Sequence, residues 1–95
     1  MDNLTYIRKN ISQDELFLQL AEECMELAHV CMKMHRIING SNPTPAGICD
    51  TMDHVEEELS DVALCCDILD ISANNNIMKG KLARWVDRLG ASNGW

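Results

Sequence analysis

Leu16, Leu20, Leu27 and Val30 recur at helical spacing and mark one face of a single long helix, and Glu23 falls inside that face. It lies seven residues after Leu16 and four before Leu27, while Glu26 sits four before Val30, on the shoulder of the same face. A second segment repeats the pattern. Val55, Leu59, Val62 and Leu69 form a stripe, with Glu58 and Asp61 in it or beside it. A carboxylate in a buried stripe is costly unless a cation or a metal compensates it. Two acid pairs on two helices therefore read as one site, and the fold has to bring those helices side by side.

The rest of the chain is also helical in pattern. Ser12-Gln13-Asp14-Glu15 is a capping box that opens the first clear helix, with Ser12 as N-cap and Glu15 as its return partner. This helix runs to about Ile38, where Asn39-Gly40 stops it. Residues 39–49 hold two prolines and two glycines and form a loop. Asp50 or Thr51 caps a second helix that continues to about Ser72. Asn74-Asn75-Asn76 then makes a turn, with one Asn in a left-handed conformation. A third helix spans about Ile77 to Leu89, with Leu82, Val86 and Leu89 as its apolar edge. Gly80 implies either that this helix properly starts after it or that the backbone passes close to something there. Residues 1–11 are a short helix or an arm that packs on a partner subunit, and residues 91–95 read as a frayed tail.

Nothing reads as a strand. The expectation is one domain over residues 1–95, all-α, an antiparallel helical bundle of three main helices. Three helices of this size bury little alone, so homo-oligomerisation, as a dimer or a tetramer, is expected to complete the bundle.

Charge narrows the function. The formal net charge is −7, which excludes nonspecific binding to a nucleic-acid polymer, because phosphate contacts need clustered Lys and Arg. Four of the eight cations (Lys79, Lys81, Arg84 and Arg88) fall in the last helix, with Asp87 as the acid among them. An acidic protein with one basic helix suits a small anion held jointly by a metal and cations. The five cysteines, Cys24, Cys31, Cys49, Cys65 and Cys66, are odd in number and mostly in apolar helical positions. They read as small buried hydrophobes in a reducing cytosol rather than as a disulfide framework. No apolar run approaches ~18 residues and no signal peptide is visible, so a cytoplasmic protein without a membrane partner is expected.

Glu23 and Glu26 are i and i+3 and reach the same point; Glu58 and Asp61 repeat the spacing. If the two helices pack antiparallel, four carboxylates converge. Hard oxygen ligands without His or Cys select Mg²⁺ or Mn²⁺, and the chemistry implied is metal-assisted phosphoryl or nucleotidyl hydrolysis. Either motif alone is common on solvated helix faces; their pairing within two apolar stripes is what points to a site.

The paired pattern Glu22-Glu23-x-x-Glu26 and Glu58-x-x-Asp61 resembles the MazG-like, all-α nucleoside triphosphate pyrophosphohydrolases. Leu20-Ala21-Glu22-Glu23-Cys24-Met25-Glu26-Leu27-Ala28 looks like their first metal helix and Glu57-Glu58-Leu59-Ser60-Asp61-Val62 like their second, and the resemblance spans roughly residues 12–90. It implies hydrolysis of a (d)NTP to the monophosphate and pyrophosphate, with Mg²⁺ on Glu23, Glu26, Glu58 and Asp61, in a bundle assembled from subunits. It also implies that Lys81 and, seven residues later, Arg88 grip the triphosphate, with Arg84 between them. Longer relatives often carry Asn four residues after that Lys, where this chain has Trp85. Glu22, four residues before Glu26, either orients or deprotonates the attacking water or simply faces solvent.

Other readings stay open. Glu26-Leu27-Ala28-His29 is a Glu-x-x-His, the motif of di-iron carboxylate bundles, although the second helix offers none. Cys31 and His35 are i and i+4, a spacing open to Zn²⁺, without two further evident ligands. The bundle and its pocket can also serve as a catalytically weak nucleotide-sensing or assembly module. Phe17, Lys33, Arg36 and Trp85 are candidate pocket walls.

Overall fold

The computed structural model describes residues 1–41 and 47–90. The middle of the expected loop, residues 42–46, and the expected tail, residues 91–95, lie outside the described residues. Four helices follow in order: α1 (Asn3–Asn10), α2 (Gln13–Ile38), α3 (Ile48–Leu69) and α4 (Asn75–Arg88). The described residues form no strand, so the all-α reading holds.

The core is the α2–α3 hairpin. On α2, Leu16, Leu20, Glu23, Leu27, Val30, Met34 and Ile37 are all buried or half-buried, at alternating spacings of four and three. On α3 the same alternation joins Thr51, Val55, Glu58, Val62, Cys65 and Leu69. That spacing averages 3.5 residues, the repeat that keeps one seam facing a partner helix. The pairing is antiparallel. Leu16 shares a hollow with Ile68 and Leu69, Glu26 meets Glu58, and Lys33 lies beside Thr51 and His54.

Leu59 is not in this seam, contrary to the stripe expected from sequence: it is 53% exposed. Glu58 holds the inward position, and the adjacent residue is rotated about 100° around the helix. Thr51 is likewise not a cap. It is buried, 2% exposed, and its hydroxyl donates to the Gly47 carbonyl at 3.0 Å. The helix starts earlier, at Ile48, with Gly47 at the N-cap.

Other local expectations shift for equally local reasons. Ser12 holds the N-cap position of α2, but its side chain makes no capping hydrogen bond. Its hydroxyl serves the Asp14 carboxylate instead, and is the first cause holding that acid below its ordinary range. Gly40 ends α2 at φ 76°, as expected. α3 stops at Leu69 rather than Ser72, because Asp70 takes the left-handed conformation expected of an Asn, at φ 57°. Asn74 caps α4, its side chain accepting from the Ile77 N–H at 3.0 Å.

Residues 3–10 are a helix that packs on α3 of the same chain. Asp2 caps it, accepting from the Thr5 N–H at 2.8 Å, and that backbone bond holds the Asp2 carboxyl below its ordinary range. Arg8 ties it down: Nε donates to the Ile68 carbonyl at 2.7 Å and Nη2 to the Asp67 carbonyl at 2.8 Å. Both are carbonyls of the last turn of α3, where the helix runs out of its own donors; the Asp67 carbonyl also accepts from the Asp70 N–H at 3.1 Å.

α4 does not join the bundle within one chain. Its fourteen residues are all exposed, Leu82 and Val86 of the expected apolar edge among them, and so is Leu89 at its C-cap. Gly80 sits inside this helix, so the helix does not start after it, and nothing of the same chain stands within 4 Å of where its Cβ would be. The radius of gyration is 17.8 Å, against about 12 Å for a compact domain of this length. The bundle seen here is therefore a hairpin with α1 against it and α4 projecting.

Candidate metal centre

Glu23 and Glu58 hold seam positions of α2 and α3, and Glu26 lies one turn beyond Glu23. The antiparallel register brings one carboxylate oxygen from each of these three residues within 4.8 Å of the others. Glu23 Oε1 accepts from Gln19 Nε2 at 2.8 Å, one turn earlier on α2. Glu23 Oε2 and Glu58 Oε2 are buried and have no hydrogen-bond partner. Buried polar atoms are normally paired, so two orphaned oxygens at one point call for a cation or a proton.

The electrostatics agree. The Glu58 carboxyl is pushed above its ordinary 4.5, first by desolvation, then by Glu26, through its charge and through the hydrogen bond that the protonated acid makes with it, and then by Asp61 and Glu23. Like charges confined together favour a proton on one of them. Burial also raises the Cys65 thiol, with Glu23 the next cause, so this cysteine beside the acids is a neutral packing residue rather than a thiolate.

The donor set fits Mg²⁺ or Mn²⁺ in kind, being oxygen only. Asp61, the fourth expected ligand, is half-buried and close enough to Glu58 to raise its pKa, but lies outside the 4.8 Å set. Among the described residues neither His29 nor the Cys31–His35 pair belongs to a donor set of this spacing.

Beside the acids lies an open groove of about 600 Å³, lined by Glu22, Met25, Glu26, His29, Val30, Lys33, His54 and Glu58. Glu22 thus faces the same space as Glu26 and Glu58. Lys33, one of the candidate walls, lines it; Phe17, Arg36 and Trp85 do not. Lys81, Arg84 and Arg88 surround Trp85 on α4, where the Arg88 guanidinium lies 6.0 Å from the Trp85 ring centroid. Among the described residues of one chain, they line a different groove from the acids. Sequence reasoning missed Gln19 and His54. Each stands four residues before a site glutamate, Glu23 and Glu58 respectively, so helical spacing alone could have flagged them.

Three of the five cysteines, Cys24, Cys31 and Cys49, are exposed, Cys66 is half-buried, and only Cys65 is buried. Their expected role as core hydrophobes therefore holds for few of them. Among the described residues no helix is long and apolar enough to cross a membrane. No protein-family model, curated protein or solved structure matches the chain.

Proposed function

We propose that the chain is a Mg²⁺-dependent nucleoside triphosphate pyrophosphohydrolase of the MazG-like kind, splitting a (d)NTP into the monophosphate and pyrophosphate, with Mn²⁺ as an alternative ion. The observation that carries this reading is the meeting of three carboxylates across a helical seam, with two buried oxygens left without a partner. Glu23, Glu26 and Glu58 hold the ion, and Asp61 joins them by rotating toward it. Gln19 fixes the orientation of Glu23. Glu22, on the groove wall, orients the attacking water. The bound ion supplies charge stabilisation at the reacting phosphate.

A second copy of the chain completes the assembly in this reading. Ile77, Met78, Leu82, Trp85, Val86 and Leu89 leave α4 with an uncovered apolar surface, more than a stable monomer ordinarily carries on one short helix. Charge supports the same partner: α2 and α3 carry twelve acids against two Lys or Arg, whereas α4 carries four Lys or Arg and one acid. Docked on a neighbour, α4 offers Lys81, Arg84 and Arg88 to the phosphates there. Five free cysteines fit a reducing compartment, which is the ground for a cytoplasmic location.

The test is a panel of canonical and modified (d)NTPs with Mg²⁺, scored for pyrophosphate release, with Glu58→Gln as control. Release of single phosphate would exclude the reaction. A second reading, a nucleotide-binding or assembly module with weak turnover, is favoured by the separation of the α4 cations from the acids within one chain. Tight nucleotide binding without pyrophosphate release would select it.

A further inference from the structure

The groove is graded in charge along its length. Glu22, Glu26 and Glu58 stand at one end; Lys33 stands at the other, with His29 and His54 between. Lys33 follows Glu26 by seven residues, about 10 Å along the helix axis. His54 precedes Glu58 by four residues on the antiparallel helix, so the two imidazoles lie on the same side of the acids as Lys33. Neither imidazole belongs to the metal donor set.

Lys33 is unusual in two ways. It is one of only two Lys or Arg residues on a hairpin bearing twelve acids. It is also the only α2 residue outside the seam that is half-buried rather than exposed. A half-buried Lys ordinarily lays its aliphatic stem on apolar surface and keeps its ammonium in solvent, where it can meet an anion. Lys33 is the one Lys or Arg among the residues that line the groove with Glu26 and Glu58. A single phosphate at the metal does not span to Lys33. A chain of phosphates, with one end at the metal, runs toward it.

We infer that Lys33, flanked by His29 and His54, is the subsite for the distal phosphate of a metal-bound polyphosphate chain, provided in cis by the chain that holds the metal. The inference rests on the acid site proposed above and places a cation there that needs no second copy. A nucleoside triphosphate and inorganic triphosphate share the required chemistry.

The experiment uses the full chain, Lys33→Met and Lys33→Arg. Mn²⁺ binding is followed by electron paramagnetic resonance. Titrations with orthophosphate, pyrophosphate, inorganic triphosphate and a non-hydrolysable dNTP analogue follow in the presence of Mn²⁺. Lys33→Met should bind Mn²⁺ as wild type does, which also shows that it is folded. It should lose about tenfold in affinity for triphosphate and the dNTP analogue, the loss of one charge-assisted hydrogen bond. Orthophosphate should be unaffected, and Lys33→Arg should recover most of the loss. Loss for triphosphate but not for the analogue would assign the subsite to inorganic polyphosphate and overturn its nucleotide role. Unchanged triphosphate affinity in Lys33→Met, or an equal loss for orthophosphate, overturns the subsite and leaves the metal site standing. A wild type that takes up no Mn²⁺ brings down the acid site and the subsite with it.

Discussion

Glu23 and Glu58 are the two charged residues in the seam between α2 and α3, and each buries one carboxylate oxygen without a partner. Apolar side chains, Thr51 and Cys65 fill the other seam positions. A compensating buried salt bridge would need a cation there, and none donates to these oxygens. The arrangement is therefore a standing electrostatic cost in the metal-free fold.

That cost has a pH signature. The native Glu58 carboxyl titrates above its ordinary 4.5, so between the two values the native state binds more protons than the unfolded one. Its contribution to stability is then fully present below 4.5 and is lost as pH rises through the raised native value. In chelator, the difference in stability between wild type and Glu58→Gln should widen in favour of the variant as pH rises through that window. Asp2 and Asp14, both held low, act in the opposite sense at lower pH and cancel in the comparison. Parallel pH profiles for the two proteins would count against the repulsion.

Saturating Mg²⁺ should reverse the order. At neutral pH wild type gains stability from an ion that binds only the folded state, and Glu58→Gln gains much less. Turnover should fall by orders of magnitude in Glu58→Gln and Asp61→Asn, because the charge stabilisation acts at the reacting phosphate. Asp61 is the sharper case, since it stands outside the tight donor set. Full activity in Asp61→Asn would remove it from the ligands.

Arg8 holds α1 to the end of α3 through two carbonyls, those of Ile68 and Asp67. Arg8→Met keeps much of the stem and removes both bonds. Urea unfolding should show a loss of about 1–2 kcal/mol, the scale for a charged donor on backbone carbonyls at a helix end, with most of it from the Ile68 carbonyl, because the Asp67 carbonyl keeps its bond from the Asp70 N–H. Hydrogen exchange should quicken in α1 and the last turn of α3, with the acid seam unaffected. Uniform destabilisation would mean that α1 supports the whole hairpin.

Leu82 is 63% exposed near the middle of α4. If a second copy covers this face, wild type should sediment as a dimer or larger at micromolar concentration. Leu82→Glu should then sediment as a monomer with the helicity of the hairpin retained. A monomeric, folded wild type ends the self-association reading.

The hairpin and its acids were legible because burial on α2 and α3 follows a simple period, and a period can be read from one chain. Glu23 and Glu58 stood out as breaks in it. Leu59 misled because it adjoins Glu58 and is as apolar as any seam residue; only the partner helix decides which neighbour turns inward. Thr51 was missed as core because its hydroxyl finds the Gly47 carbonyl one turn back, which a residue type does not reveal. The end of α3 at Leu69 depends on Asp70 adopting a left-handed conformation, a single dihedral choice that residue type does not announce. The basic residues of α4 were readable as a group, but not their distance from the acids. The groove wall of His29, Lys33 and His54 arises only when two helices are placed in register.

The seam itself offers the most direct separation of folding from function. Replacing Glu23 and Glu58 together by Leu completes both heptad stripes with apolar side chains. The double variant removes two confined charges and buries new hydrocarbon, both stabilising in the absence of metal. It should melt several degrees above wild type in chelator, and its melting temperature should not respond to Mg²⁺ or Mn²⁺. Pyrophosphate release should be absent. Single variants should each raise the melting temperature by a smaller amount, and the two effects should not add, because removing either charge relieves the other. Acids that instead stabilise the fold, through a cation supplied by a second copy, predict a double variant that melts below wild type and loses its assembly. Melting in chelator and sedimentation of the same samples decide between a seam sacrificed for a metal and a seam built for a partner.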